Sequence, residues 1–257
     1  MVYAVRGEDR LVGIAQFSDY PPQAMKEKPV VGGILNVDTE KILALKPDLI
    51  LTPPGAMASE KLCRLGVRIQ YTPDKTLDDI TSSFVTIGNV VGKPLEGQEL
   101  AKRFKAGVAA ARERNSHKQP VRALLVIGYE PLWVAGDYGA LNELLEAAGG
   151  INAAGAVKKD FYAADIETVI AARPEVIVDL TLKATDPPSR RDAAKAFWSR
   201  FPSVPAVKNN RIEFIDVDLL TIPGPRLLEG LIGLEAALHS GAKSVSDTNL
   251  STDAARR

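Results

Sequence analysis

Cysteine and histidine are almost absent from this sequence. The single cysteine, Cys63, excludes an internal disulfide, and the two histidines, His117 and His239, form no group with the spacing of a zinc site. Charge of one sign is also missing. Lys+Arg and Asp+Glu each total 32, so no basic excess points to a nucleic-acid partner. No apolar run approaches the roughly 20 residues needed to cross a bilayer. The opening "MVYAVRGEDR" lacks the basic-then-apolar plan of a signal segment, so a secreted form is expected to have shed its signal beforehand. Phosphate loops are missing: Gly32-Gly33 is followed by no Lys-Ser/Thr, and "GEDRLVG" lacks the required glycine spacing. Cys63, in "EKLCRLG", has neither histidine nearby in sequence and reads as a small packing residue rather than a nucleophile.

What is present is a chain of 257 residues with 46% apolar side chains, enough for one large domain or two smaller lobes. Its end, "HSGAKSVSDTNLSTDAARR", is polar with little to bury and is expected to fray.

The most informative feature is an internal repeat. "DTEKILALKPDLIL" at 38–51 and "DIETVIAARPEVIV" at 165–178 align without a gap, Asp38 on Asp165, Glu40 on Glu167 and Pro47 on Pro174, at a constant offset of 127 (165 − 38). In each copy an aspartate caps a helix and a glutamate in the first turn suits the positive end of the helix dipole. Proline then stops the helix before a short apolar run typical of a strand buried on both faces. One unit used twice predicts two α/β lobes with parallel-type sheets flanked by helices. Further strands are expected at 10–15, 68–72, 122–127 and 211–216. Between the lobes, a helix stopping at Gly92 and a proline-started run of strong helix formers predict a long, stiff connection that allows little closure. The expected division is a first lobe at 1–92, a bridging helix at 93–118, a second lobe at 119–240 and a tail at 241–257.

Ligands of parallel α/β sheets collect beyond the carboxyl ends of the strands. Those positions are rich in aromatics and prolines. "FSDYPPQA" raises Tyr20 on a loop stiffened by Pro21 and Pro22, and "LILTPPGAM" supplies Pro54, Gly55 and Met57. "LLVIGYEPLWVAG" supplies Tyr129, Pro131 and Trp133, "DFYAAD" supplies Phe161 and Tyr162, and "FIDVDLLTIPGPR" supplies Asp216, Asp218 and Arg226. Each aromatic has a plainer reading as a half-buried loop residue, and Met57 as exposed gap-filler. Arg226 can brace its own loop or meet an anionic group. Trp198, flanked by Phe197 and Phe201 on a helical face, reads as core. As a set, apolar walls with a few polar groups suit a broad, partly apolar ligand.

"DRLVGIAQFSDYPPQA", "VGGILNVDTEKILALKPDLILT", the second repeat copy and "VPAVKNNRIEFIDVDLLTIPGPRLLEGL" together resemble, in order and spacing over residues 2–240, the periplasmic substrate-binding proteins of bacterial ABC importers for cobalamin, siderophore-bound iron and haem. "FSDYPPQA" is most like the cobalamin-binding branch. The resemblance implies two lobes bridged by one helix and a corrinoid held in the cleft between them, with a ferric siderophore or haem as the alternative ligand. It implies no catalysis, cofactor or protein-ligated metal. An enzyme subunit on the same architecture is the rival of another class, and the scarcity of cysteine and histidine counts against it. The ligand-facing set is Tyr20, Pro21, Gly33, Pro54, Gly55, Tyr129, Trp133, Phe161, Tyr162, Asp218, Leu219 and Arg226. Haem would use Tyr20, Tyr129 or Tyr162 as axial ligand. An acidic residue on each lobe would meet the permease: Glu60 on the first, and Asp186 or Asp192 on the second. The protein is expected as a monomer, periplasmic or lipid-anchored outside the cytoplasmic membrane. The family normally has one more strand and most of a helix before "VYA", so the first lobe is expected to lack a strand here.

Overall fold

The computed structural model describes residues 1–33, 36–56 and 59–239, without the side chains of Ser59 and Glu60. Met57, the Glu60 side chain and the tail at 241–257 therefore lie outside the described residues. The chain divides into two compact units, 1–106 and 107 onward.

In the first unit two short 3-10 turns, Val2–Val5 and Glu8–Arg10, precede α1 (Pro22–Glu27), α2 (Thr39–Ala44), β1 (Leu49–Thr52), α3 (Ser59–Arg64), β2 (Arg68–Tyr71), α4 (Leu77–Val90) and the start of α5 (Pro94–Asn115). Strands β1 and β2 pair in parallel, Leu49 opposite Arg68 through Thr52 opposite Tyr71. Ile42, Leu62 and Val67 form a small core beneath them, with Val31, Val37, Ile50 and Ile69 packed against it. Two expectations are corrected here. Residues 10–15 form no strand: Ile14 makes one parallel bridge to Val30, because an apolar run becomes a strand only where a ladder is offered to it. Cys63 is exposed, since the packing side of α3 is taken by its neighbour Leu62.

The second unit takes up the end of α5, then β3 (Val121–Tyr129), β4 (Leu132–Ala135), α6 (Ala140–Ala147), β5 (Gly150–Asn152), β6 (Phe161–Ala163), α7 (Ile166–Ala172), β7 (Val176–Asp179), α8 (Pro188–Ser199), α9 (Pro205–Lys208), β8 (Ile212–Phe214), α10 (Val217–Leu220) and α11 (Leu227–His239). Its sheet runs β6-β4-β3-β7-β8, with β5 also on β3. Strands β3, β5, β7 and β8 run parallel, and β4 runs against them, antiparallel to β3 on one side and to β6 on the other, so β6 points with the majority and the sheet is mixed. Leu124, Val126, Val134 and Ile177 fill the core with Trp198, which is fully buried as expected.

Helix α5 is anchored separately in each unit. Phe104 meets Phe84 edge to face, ring centres 5.4 Å apart, in the first. In the second, the Arg114 guanidinium donates to both carboxylate oxygens of Glu235, at 3.2 and 2.8 Å, and the Asn115 amide donates to Glu235 and to the Ala111 and Ala147 carbonyls.

The repeat holds at the level of single atoms. The Asp38 carboxylate accepts from the Lys41 amide at 2.9 Å, and Asp165 accepts from the Thr168 amide at 2.7 Å. Each copy then turns left-handed at a matching residue, Lys46 (φ 48) and Arg173 (φ 50), because the following proline disfavours a right-handed helical residue before it. Left-handed backbone costs a side-chain-bearing residue about 1–2 kcal/mol, partly offset because glycine loses more freedom on folding. Lys46→Gly or Arg173→Gly is therefore expected to raise stability by about 0.5–1 kcal/mol in urea denaturation. A loss would show that the side chains' contacts outweigh the strain.

Candidate ligand-binding site

The aromatic part of the site is built by a hairpin. Tyr129 ends β3 opposite Leu132, and the chain turns through Glu130-Pro131, joined by a cis peptide, into β4. In β4, Leu132, Val134 and Ala135 are buried while Trp133 is 40% exposed. The β4–β6 register places Trp133 opposite Ala163, Val134 opposite Tyr162 and Ala135 opposite Phe161. Since alternate strand residues share a face, Trp133 and Phe161, the latter also 40% exposed, lie on one open face, and Tyr162 turns to the core. The Tyr162 hydroxyl donates to the Ala154 carbonyl at 3.1 Å. Phe161 and Tyr162 thus belong to an edge strand rather than to a loop beyond one.

Tyr129 is committed inward. Its hydroxyl donates to Asp179 Oδ2 at 2.6 Å and accepts from Trp198 Nε1 at 2.9 Å. Burial, reinforced by the adjacent carboxylate, holds this phenol far above its ordinary pKa. Asp179 is fully buried, and its Oδ1 accepts from both the amide and the hydroxyl of Thr181, at 2.8 and 2.7 Å. Sequence reasoning missed Asp179. The signal was there: it continues the apolar run "EVIV", and the matching position of the first copy is Thr52 (179 − 127), so a carboxylate replaces a hydroxyl at the end of a buried strand.

Beyond β7 and β8, two loops are tied together. The Val217 amide donates to the Leu182 carbonyl at 2.9 Å. Asp216 accepts from the Asp218 amide with one oxygen and from the Ala184 amide with the other, at 3.0 and 3.1 Å. This frame sets Lys183 Nζ 2.7 Å from Asp218 Oδ2. Lys183 was also missed, so the loops after β7 and β8 hold Lys183 as well as Arg226. Leu219 is half-buried, and Arg226 Nε stands 3.9 Å from Glu229. Asp186 Oδ2 accepts from the Lys183 amide of its own loop at 2.9 Å and from Arg190 on α8 at 3.1 Å, whereas Asp192 is exposed.

In the first unit Tyr20 is exposed and joined to Pro21 by a cis peptide, directly before α1. Pro54 and Gly55 are exposed after β1. Gly55 has φ 82 with open space around it, so glycine is needed there for backbone conformation. Gly33 is buried, its amide donating to Asn36 Oδ1 at 3.1 Å. An added Cβ would come within 2.7 Å of that oxygen, so the Asn36 side chain would have to shift to make room for it.

A cavity of about 640 Å³ lined by Arg173, Pro202, Ser203, Pro205, Lys208 and Asn209 lies at the opposite, amino-terminal edge of β7 and β8. No group of three or more His, Cys, Asp or Glu among the described residues could hold a metal. No helix among them is long and apolar enough to cross a membrane.

An α/β chain of this build, with aromatics and polar loops gathered where its sheet opens, is a small-molecule-binding protein in class. The chain belongs to the periplasmic binding protein family, whose model matches residues 1–219. It is 28% identical over 235 residues to a vitamin B12-binding protein of Vibrio parahaemolyticus, covering 90% of this chain and 82% of the relative. The crystal structure of the periplasmic vitamin B12 binding protein of Vibrio cholerae superposes with a TM-score of 0.80 at 28% identity, over 92% of this chain and 91% of that one. A periplasmic heme-binding protein of Roseiflexus sp. RS-1, in apo form, superposes with a TM-score of 0.78, also at 28% identity, over 92% and 94%.

Proposed function

We propose that this chain captures a corrinoid outside the cytoplasmic membrane and delivers it, as a monomer, to the permease of an ABC importer. The observation that carries the reading is the breadth of the surface on the second unit. The aromatic face on β4 and β6 and the polar loops after β7 and β8 stand at opposite ends of the strand order β6-β4-β3-β7-β8. Trp133 on β4 is two strand spacings, about 10 Å, from the loop after β7, and Phe161 on β6 is four, about 19 Å, from the loop after β8. A ligand that touches both must be wide, with an apolar face and a polar periphery, as a corrinoid is. The relatives named as vitamin B12-binding support the same ligand.

Haem is the second reading, favoured by the Roseiflexus relative. A tyrosine ligates ferric iron as a phenolate. Tyr129 is the wrong residue for that, because its hydroxyl is spent on a buried carboxylate that opposes loss of the proton, and Tyr162 is turned to the core. Of the three tyrosines named for haem, Tyr20 is the one left for that role. The permease contact is assigned to Glu60 and, because Asp186 is occupied, to Asp192; export by a signal or a lipid anchor belongs to the same proposal.

Titration with cobalamin, cobinamide, haemin and a ferric hydroxamate, followed by tryptophan fluorescence and calorimetry, tests the reading. The two corrinoids are expected to saturate the protein with Kd in the micromolar range or tighter. Saturation by haemin or the hydroxamate with no corrinoid binding would overturn it.

A further inference from the structure

We propose that Lys183 and Asp218 act together as a reader of carboxamide groups, so that the site accepts a ligand edged with primary amides and rejects one edged with carboxylates. The inference rests on the corrinoid reading and adds a basis for specificity within it. A primary amide presents an acceptor and a donor side by side. The ion pair presents the complement, an ammonium donor and a carboxylate acceptor 2.7 Å apart, on side chains that are 43% and 16% exposed and so within a ligand's reach.

The pair is held in place before any ligand arrives. The Lys183 amide is bound by Asp186, the Asp218 amide by Asp216, and the two loops by the Val217–Leu182 and Ala184–Asp216 hydrogen bonds. Groups fixed in this way need little reorganisation on binding. Both follow parallel strands at their carboxyl ends.

A carboxylate in the same position would gain from Lys183 but meet the like charge of Asp218 with no proton to donate. A lone lysine would favour carboxylates, and a lone aspartate would leave an amide oxygen without a donor. The pair is net neutral and selects the group that carries both functions.

The test uses dicyanocobinamide, whose periphery is carboxamide, and cobyrinic acid, whose periphery is carboxylate, titrated into the full chain and into Asp218→Asn and Lys183→Met, with near-ultraviolet circular dichroism to verify folding. The unaltered protein should prefer cobinamide by tenfold or more. Asp218→Asn should shrink that preference at least fivefold, because the new side-chain amide can donate to a carboxylate. Lys183→Met should weaken cobinamide binding by about tenfold. Cobinamide binding with the same preference in all three proteins would overturn the inference and leave the corrinoid reading standing. Failure of the unaltered protein to bind cobinamide would overturn both.

Discussion

Asp179→Ala is expected to lower the unfolding free energy by about 2–4 kcal/mol, the largest single effect among the residues of the candidate site. The carboxylate accepts from the Tyr129 hydroxyl, the Thr181 hydroxyl and the Thr181 amide, in a position with no exposure to water. Alanine leaves these donors in the interior without their acceptor, and the cost lies in the orphaned groups rather than in the bonds' net value in water. Asp179→Asn keeps one side-chain acceptor and should lose about half as much. Tyr129→Phe deprives Trp198 Nε1 of its acceptor and should cost about 1–3 kcal/mol. Because Asp179, Tyr129 and Trp198 form one network, the effects of Asp179→Ala and Tyr129→Phe should fall short of additive. Urea denaturation of the two single variants and the double variant measures this. A loss below about 1 kcal/mol for Asp179→Ala would mean that water replaces the carboxylate and the network is not a structural support.

Trp133→Ala is expected to weaken cobalamin binding by tenfold or more, about 1–3 kcal/mol, with little change in folding stability. The two effects separate because of where the side chain lies. Leu132 and Val134 carry the core contacts of β4, while Trp133 stands on the open face with Phe161. Phe161→Ala should weaken binding less, since it removes a smaller ring. Calorimetric titration alongside thermal unfolding reads both quantities. A change below about threefold in Kd would remove the aromatic face from the ligand site, and a large fall in unfolding temperature would make Trp133 a core residue after all.

The repeat was legible in the sequence because its signals are local. Asp38 and Asp165 bind the amides three residues on, Pro47 and Pro174 end what those caps begin, and Leu49–Thr52 and Val176–Asp179 follow as strands. These features depend on neighbours within a few residues, so composition and spacing reveal them. The long helix was legible for the same reason, and Trp198 could be read as core from the aromatic face it shares with Phe197 and Phe201.

The site was only partly legible. Which loops would carry it followed from the strands, but what each side chain does there did not. Tyr129 and Asp179 are 50 residues apart, Tyr129 and Trp198 are 69 apart, and Lys183 meets Asp218 from a different loop. That Trp133 and Tyr162 face opposite ways is decided by the antiparallel register of β4 on β6, and a slip of one residue would put both on the same face. The sequence by itself therefore determined the two repeated α/β units, their caps and stops, and the edge at which a ligand should be sought. Tertiary structure alone decided which aromatics open to that edge, which hydroxyl is buried against a carboxylate and which lysine pairs with Asp218. Those outcomes depend on strand register and long-range hydrogen bonds, which no short window of sequence encodes.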